Sequence, residues 1–220
     1  MSALANLKEM SNSVVDVQGS EPTVLTHIYQ DDCNMAIWKR GLSKDIRKDV
    51  SEYLTANTGL QASMTLAPDN AARVIHEALG GKKLTAALSE NIAELVDIFC
   101  CLFELDRVGL RLTALDAAMC PRFHVDNVPA RLVTTFQGSA TQWLPHNVVD
   151  RTQLGHAKPG KSDDESSLFP SRDDIQQLSC GDVALLKGEG WQGNEGAGLV
   201  HRSPSLQVGE KRLLLTLDFN

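Results

Sequence analysis

The sequence predicts an α+β chain: a mainly helical N-terminal portion over residues 1–106 and a β-sandwich or barrel over 107–220, packed as one compact unit. Three observations carry this. Apolar residues recur at helical spacing between 85 and 103. The stretches 108–115 and 211–219 alternate with period two, and turn residues separate several short β-rich runs after Asp106.

Residues 1–30 show little pattern. A helix is expected from Ser43, as N-cap, to Leu54. A second is expected from Asp69, as N-cap, to Gly80 at its C-terminal end. A third spans Thr85 to Phe103, where Leu88, Ile92, Leu95, Phe99 and Leu102 share one face. Strands follow at Val108–Leu115, Arg131–Phe136, Gln142–Leu144, Asp182–Leu186 and Lys211–Phe219. In the last run Leu213, Leu215, Leu217 and Phe219 point one way, and Arg212, Leu214, Thr216 and Asp218 the other. The leucines must bury against the helices, so Arg212 and Thr216 must face the barrel lumen. The long polar stretch from Thr152 to Ser179 reads as a poorly packed lid.

The chain has 220 residues, enough for one domain with a sizeable core. Its formal charge of -7 argues against a nucleic-acid partner, which calls for a basic stripe. No apolar run is long enough to span a bilayer, so no membrane partner is expected. The N-terminus lacks a basic-then-apolar signal pattern, which makes the cytoplasm the expected compartment. The five cysteines have no CxxC spacing, which speaks against a disulfide framework or a structural zinc knot. Cys100 and Cys101 read as helix core.

Chemistry concentrates in three segments: Cys120–Asn127, Leu199–Pro204 and Gly209–Thr216. On a strand, His124 and Asp126 project from the same face, while Val125 projects from the other. One imidazole and one carboxylate side by side can take adjacent positions on a metal. His201, arriving from another strand, completes a facial triad that leaves the opposite face of an octahedral ion open. Two histidines and one carboxylate with open positions are the donor set of non-haem Fe(II) oxygenases. The turn between Ser203 and Glu210 closes a hairpin that lays Arg212 alongside His201. A guanidinium in the lumen suits bidentate capture of a carboxylate, and an empty lumen should recruit an anion or a neighbouring acid such as Asp218.

These residues resemble the Fe(II)/2-oxoglutarate-dependent dioxygenases of the prolyl-hydroxylase type. His124-Val-Asp-Asn127 followed by Arg131-Leu-Val-Thr is similar to their metal strand and its successor. His201 with Pro204, Arg212 and Leu217–Phe219 is similar to their closing hairpin. The resemblance covers about Val108 to Phe219. It implies a double-stranded β-helix (a jelly roll, cupin-like), iron at His124, Asp126 and His201, and 2-oxoglutarate anchored by Arg212 beside Thr216. The implied activity is hydroxylation of a small-molecule or protein substrate. Phe136 stands where that family often has a tyrosine against the cosubstrate. The whole chain also resembles an uncharacterised bacterial family with the phrases CPRFHVDN and GLVHRSP.

Two other readings of these residues stand beside the oxygenase. Zinc can fill the same three ligands in a non-enzymatic metal-binding or small-ligand-binding barrel, and a degenerate barrel can serve as an interaction module. Gly188, Gly190 and Gly193 spell G-x-G-x-x-G, but the following Asn194-Glu-Gly-Ala-Gly198 is a poor helix, which excludes a dinucleotide fold. Those glycines instead let the backbone pass close to the site or flex over it. His146 and Asp150 read first as a polar loop pair and second as extra ligands or substrate contacts; Asn127 and Arg131 are able to face a substrate, with Asn127 as the end of its strand the other reading.

Overall fold

Two β-sheets and three helices make up the computed structural model, which describes residues 14–57, 59–82, 85–155, 163 and 166–220. The chain runs through β1 (Val15–Gly19), β2 (Cys33–Trp38), α1 (Lys44–Ala56), β3 (Gln61–Leu66), α2 (Ala71–Ala78) and α3 (Ala86–Phe103). It continues through β4 (Val108–Leu115), β5 (Ala130–Gln137), β6 (Gln142–Leu144), β7 (Gln176–Gln177), β8 (Val183–Lys187), β9 (Val200–Arg202) and β10 (Arg212–Phe219). Seven strands form the larger sheet in the order β1-β2-β8-β5-β10-β4-β3; three form the smaller, β7-β6-β9. Every pairing is antiparallel except β1 with β2.

Strand parity decides where the core and the cavity lie. Leu213, Leu215 and Leu217 of β10 join Val108, Leu110 and Leu112 of β4 and Leu132 and Phe136 of β5 in one cluster. Leu88, Ile92, Leu95 and Phe99 of α3 and Val50 and Leu54 of α1 pack into the same cluster. The opposite parity turns inward between the sheets. There Met35, Ile37, Val133, Ala184 and Leu186 of the larger sheet meet Trp143 of the smaller. Arg111, Thr113, Leu214 and Thr216 share this inner side and line a cavity.

The N-terminal portion departs from the expected helical reading, because β1, β2 and β3 contribute to the larger sheet. Cys33–Trp38 is buried on both faces and so has no alternation to betray a strand. Gln61–Leu66 alternates, but its exposed side is wholly polar. Ser43 caps α1, accepting the Ile46 amide at 3.1 Å. Asp69 does not cap α2; Pro68–Asn70 forms a 3-10 turn that takes Asp69 inside it, and Asn70 precedes the helix. α3 ends where Glu104 turns left-handed, at φ 53. Cys100 is buried, but Cys101, one step round the helix, is exposed.

The stretch 152–179 is not uniformly loose. Leu168 and Phe169 are buried with Phe123, Leu144 and Val200, and Leu178 packs between the sheets. Ser171 and Asp174 form a capping box over Arg172–Asp174. Apolar residues spaced among many polar ones anchor this segment, where polarity alone suggested a lid. Its residues 156–162, 164 and 165, including His156, lie outside the described residues. No described helix is long and apolar enough to cross a membrane.

Leu215 is fully buried between the larger sheet and the helices. Leu215→Ala is expected to lower unfolding free energy by about 2–5 kcal/mol in urea denaturation. A loss below about 1 kcal/mol would show that this interface is not the core.

Candidate metal centre

His124 and His201 meet through their backbones before their side chains. Each donates its amide N–H to the other's carbonyl, both at 3.0 Å, in an isolated antiparallel bridge. His124 is thus not on a regular strand; it lies beside β9, on the edge opposite β6. The pairing sets the two rings 4.6 Å apart. Asp126, two residues on from His124, completes the group. Its Oδ1 lies 3.7 Å from His124 Nε2 and its Oδ2 lies 3.5 Å from His201 Nε2. One ligand atom from each residue can be chosen so that all lie within 4.8 Å of one another.

Both rings are oriented for ligation. Nδ1 of His124 is 2.9 Å from the Arg122 carbonyl, and Nδ1 of His201 is 3.2 Å from the Leu199 carbonyl. A carbonyl only accepts, so each Nδ1 is the donor there, and Nε2 is the nitrogen of each ring on the Asp126 side. Burial pushes the His201 pKa down to about 4, against the opposing pull of Asp126. His201 is therefore neutral at physiological pH, the form that binds a metal.

Arg131, expected to face a substrate, is instead committed to carboxylates. Its Nη1 donates to Asp126 Oδ2 at 2.7 Å, and its Nε and Nη2 donate to the two oxygens of Asp218 at 2.6 and 3.2 Å. Burial opposes the charge on Arg131, but Asp218 and Asp126 outweigh it and hold the pKa above the ordinary guanidinium value. This contact fixes Asp126 Oδ2, the oxygen beside His201, and leaves Oδ1 beside His124. The signal for this role was present: lumen parity places Asp218 inside, and a buried acid needs a cation.

Arg212 is buried at 1% exposure, on the lumen side of β10 as its parity requires. Its expected partner Asp218 is not there. Six residues along a strand span about 20 Å, beyond the reach of a guanidinium. Arg212 instead donates to three hydroxyls: Ser203 at 3.1 Å, Thr135 at 3.2 Å and Thr141 at 2.9 Å. No described carboxylate lies within ion-pair distance, its Nε has no partner, and burial lowers its pKa to about 10. Thr141 and Ser203 line the cavity together with His124, His201, Arg131 and Thr216. Arg212 thus stands directly behind the cavity wall, a buried cation with donor capacity unspent.

The glycine-rich stretch passes against the metal segment. Gly188 N–H donates to the Pro129 carbonyl at 2.9 Å, and Gly190 N–H to the Val128 carbonyl at 3.2 Å. A Cβ at Gly188 would collide with the Val128 carbonyl oxygen, so a side chain is excluded there. His146 and Asp150 stay outside the group. His146 Nδ1 lies 3.3 Å from Arg151, and Asp150 accepts from Thr152.

The family model described as "Protein of unknown function (DUF1826)" matches residues 19–218. The chain belongs to that family. No curated protein matches it. Among solved structures, JOX2 in complex with 2OG, Fe and JA is similar over 94% of this chain and 74% of its own, at 10% identity and a TM-score of 0.51. A rice dioxygenase for auxin oxidation matches over 93% and 82%, at 10% identity and a TM-score of 0.47. A Pseudomonas putida prolyl-4-hydroxylase matches over 90% and 97%, at 10% identity and a TM-score of 0.42. The likeness to JOX2 gives this DUF1826 chain a jelly-roll fold, with mixed helix and strand on one large and one small sheet.

Two outcomes are expected. First, metal-free protein should gain stability as pH rises from about 4 to 6.5, because the unfolded chain then holds a His201 proton that the folded chain has lost. The gain should reach about 3 kcal/mol, and His201→Gln should flatten it; a slope unchanged in the variant would refute the assignment. Second, Gly188→Ala should destabilise by more than about 2 kcal/mol in thermal unfolding, as expected of overpacking against backbone. A neutral substitution would mean that the contact is not tight.

Proposed function

We propose that this chain is an Fe(II)/2-oxoglutarate-dependent oxygenase. The observation that carries the reading is the convergence of His124, Asp126 and His201, whose ligand atoms lie within 4.8 Å of one another, with the Nδ1 of each ring held by a backbone carbonyl. Two imidazole nitrogens and one carboxylate oxygen, one side of the group facing a cavity, suit Fe(II) with positions left for other ligands. The fold likeness to JOX2, whose structure holds 2OG and Fe, supports the same reading.

His124, Asp126 and His201 would hold the iron. Arg131 keeps Asp126 from rotating, and the two carbonyls keep the rings from flipping. Arg212 would bind the distal carboxylate of 2-oxoglutarate through the wall made by Ser203, Thr135 and Thr141, whose hydroxyls can donate to the same anion once released. Its buried, incompletely partnered guanidinium gains most from an anion. Thr216 would contact the cosubstrate from the next inward position of β10. With iron and 2-oxoglutarate bound, O2 would be the oxidant: one oxygen atom would go to the substrate C–H bond as hydroxyl and the other to 2-oxoglutarate, which would leave as succinate and CO2.

Anaerobically purified protein should bind one Fe(II) or Mn(II) per chain and then 2-oxoglutarate, read from the Fe(II) absorption. His124→Ala and Asp126→Ala should abolish tight metal binding while the circular dichroism stays unchanged. Arg212→Ala should keep the metal and weaken 2-oxoglutarate binding by about 2–5 kcal/mol. Wild-type protein that binds no divalent ion would defeat the metal centre. Metal binding without 2-oxoglutarate binding or consumption would leave a metal-binding barrel instead.

A further inference from the structure

Glu189 touches both arms of the candidate metal centre without belonging to it. Its backbone N–H donates to the carbonyl of Asp126 at 2.9 Å. Its side chain turns the other way. Oε2 accepts the Gly196 amide at 2.7 Å, and Oε1 accepts the Gly198 amide at 3.1 Å. Arg151 pairs with Oε1 at 3.4 Å and donates to the Gly198 carbonyl at 2.6 Å. Gly198 leads directly into β9, where Leu199 N–H reaches the Lys187 carbonyl at 2.9 Å and His201 follows. One residue therefore holds the segment of one metal donor by its backbone and the segment of another by its carboxylate.

The rest of this stretch is built to keep Glu189 in place. Trp191 packs on Tyr29 and Phe103, with ring centroids at 5.4 and 6.2 Å, and lies under the buried Lys187 ammonium. Asn194, itself buried, donates to the Gly188 carbonyl at 3.1 Å. Gly198 has no room for a side chain, since a Cβ there would stand 2.9 Å from Glu189 Oε1. Such anchoring makes the loop a brace of fixed length between Asp126 and His201.

We infer that Glu189 is a positioning residue that sets the separation of Asp126 from His201 and thereby the affinity for a divalent metal. The inference rests on the metal-centre reading above. Ligation distances tolerate only a few tenths of an ångström, so a loosened brace costs affinity even with all three donors present. Loss of partners that orient metal ligands typically weakens binding by about 10–100-fold.

The test is calorimetric titration of the full chain with Mn(II), alongside thermal unfolding in chelator. Glu189→Ala should weaken Mn(II) binding by about 10–100-fold. Glu189→Gln keeps one acceptor for the glycine amides and should lose less. Leu215→Ala serves as the control, because its side chain packs in the helix-side core, on the opposite face of β10 from the cavity, so the variant should lose stability and still bind Mn(II) as the wild type does. A merely structural role for Glu189 predicts that its variants behave like that control. Wild-type affinity in both Glu189 variants overturns the inference and leaves the metal centre standing. Absence of Mn(II) binding by the wild type overturns the metal centre and this inference with it.

Discussion

At the inner side of the larger sheet one guanidinium, Arg131, holds two carboxylates at once, Asp126 at 2.7 Å and Asp218 at 2.6 Å. Three charges sit together where water is scarce, and none is tolerable there alone. Taking Arg131 away would strand Asp126 and leave Asp218 only the exposed Arg111 at 3.6 Å; taking either acid away would leave the cation half-compensated. The triad also joins levels of the structure. Asp218 belongs to β10, the strand that packs on the helices, and Asp126 belongs to the segment beside β9. The rigidity of the larger sheet thereby reaches the irregular segment that carries Asp126 through a side chain.

That charge balance explains how the two arginines of the lumen differ. Arg131 is saturated by acids of the chain itself, whereas Arg212 meets only hydroxyls. Hydroxyls satisfy donors without cancelling charge. Burial therefore acts on Arg212 unopposed except by Glu210, and its pKa falls while that of Arg131 rises. The same residue type, on neighbouring strands, is ion-paired in one place and left among hydroxyls in the other.

Much of this was legible in the residues, and the limits have physical causes. Period-two alternation placed β4 and β10 to within a residue, because one face of each meets the helices and the other the cavity. The H-x-D spacing and the distal His201 pointed to a group that the fold does bring together, although His124 comes on a bridge rather than a strand. β2 escaped because a strand buried on both faces has no period. Parity put Asp218 in the lumen, yet its partner could not be found by parity, which gives a face but not a distance along it. The identity of Asp218's cation required the β5–β10 register, in which Asp218 stands opposite Arg131. Glu189 left no sequence signal at all, since its role depends on a loop returning in space to Asp126, which lies 63 residues earlier in the chain (189 − 126 = 63).

An open sheet of seven strands must end somewhere, and here it ends in wet chain. β3, at one edge, turns Gln61, Ser63 and Thr65 outward, all exposed. β1, at the other, is only five residues long, runs parallel to its neighbour and carries Asp16 and Gln18. Neither edge offers a neighbouring molecule a long, flat, apolar row of free amides. The sheet that supports the site is consequently a poor template for its own extension, and protein held at high concentration should resist growing into fibrils from these margins.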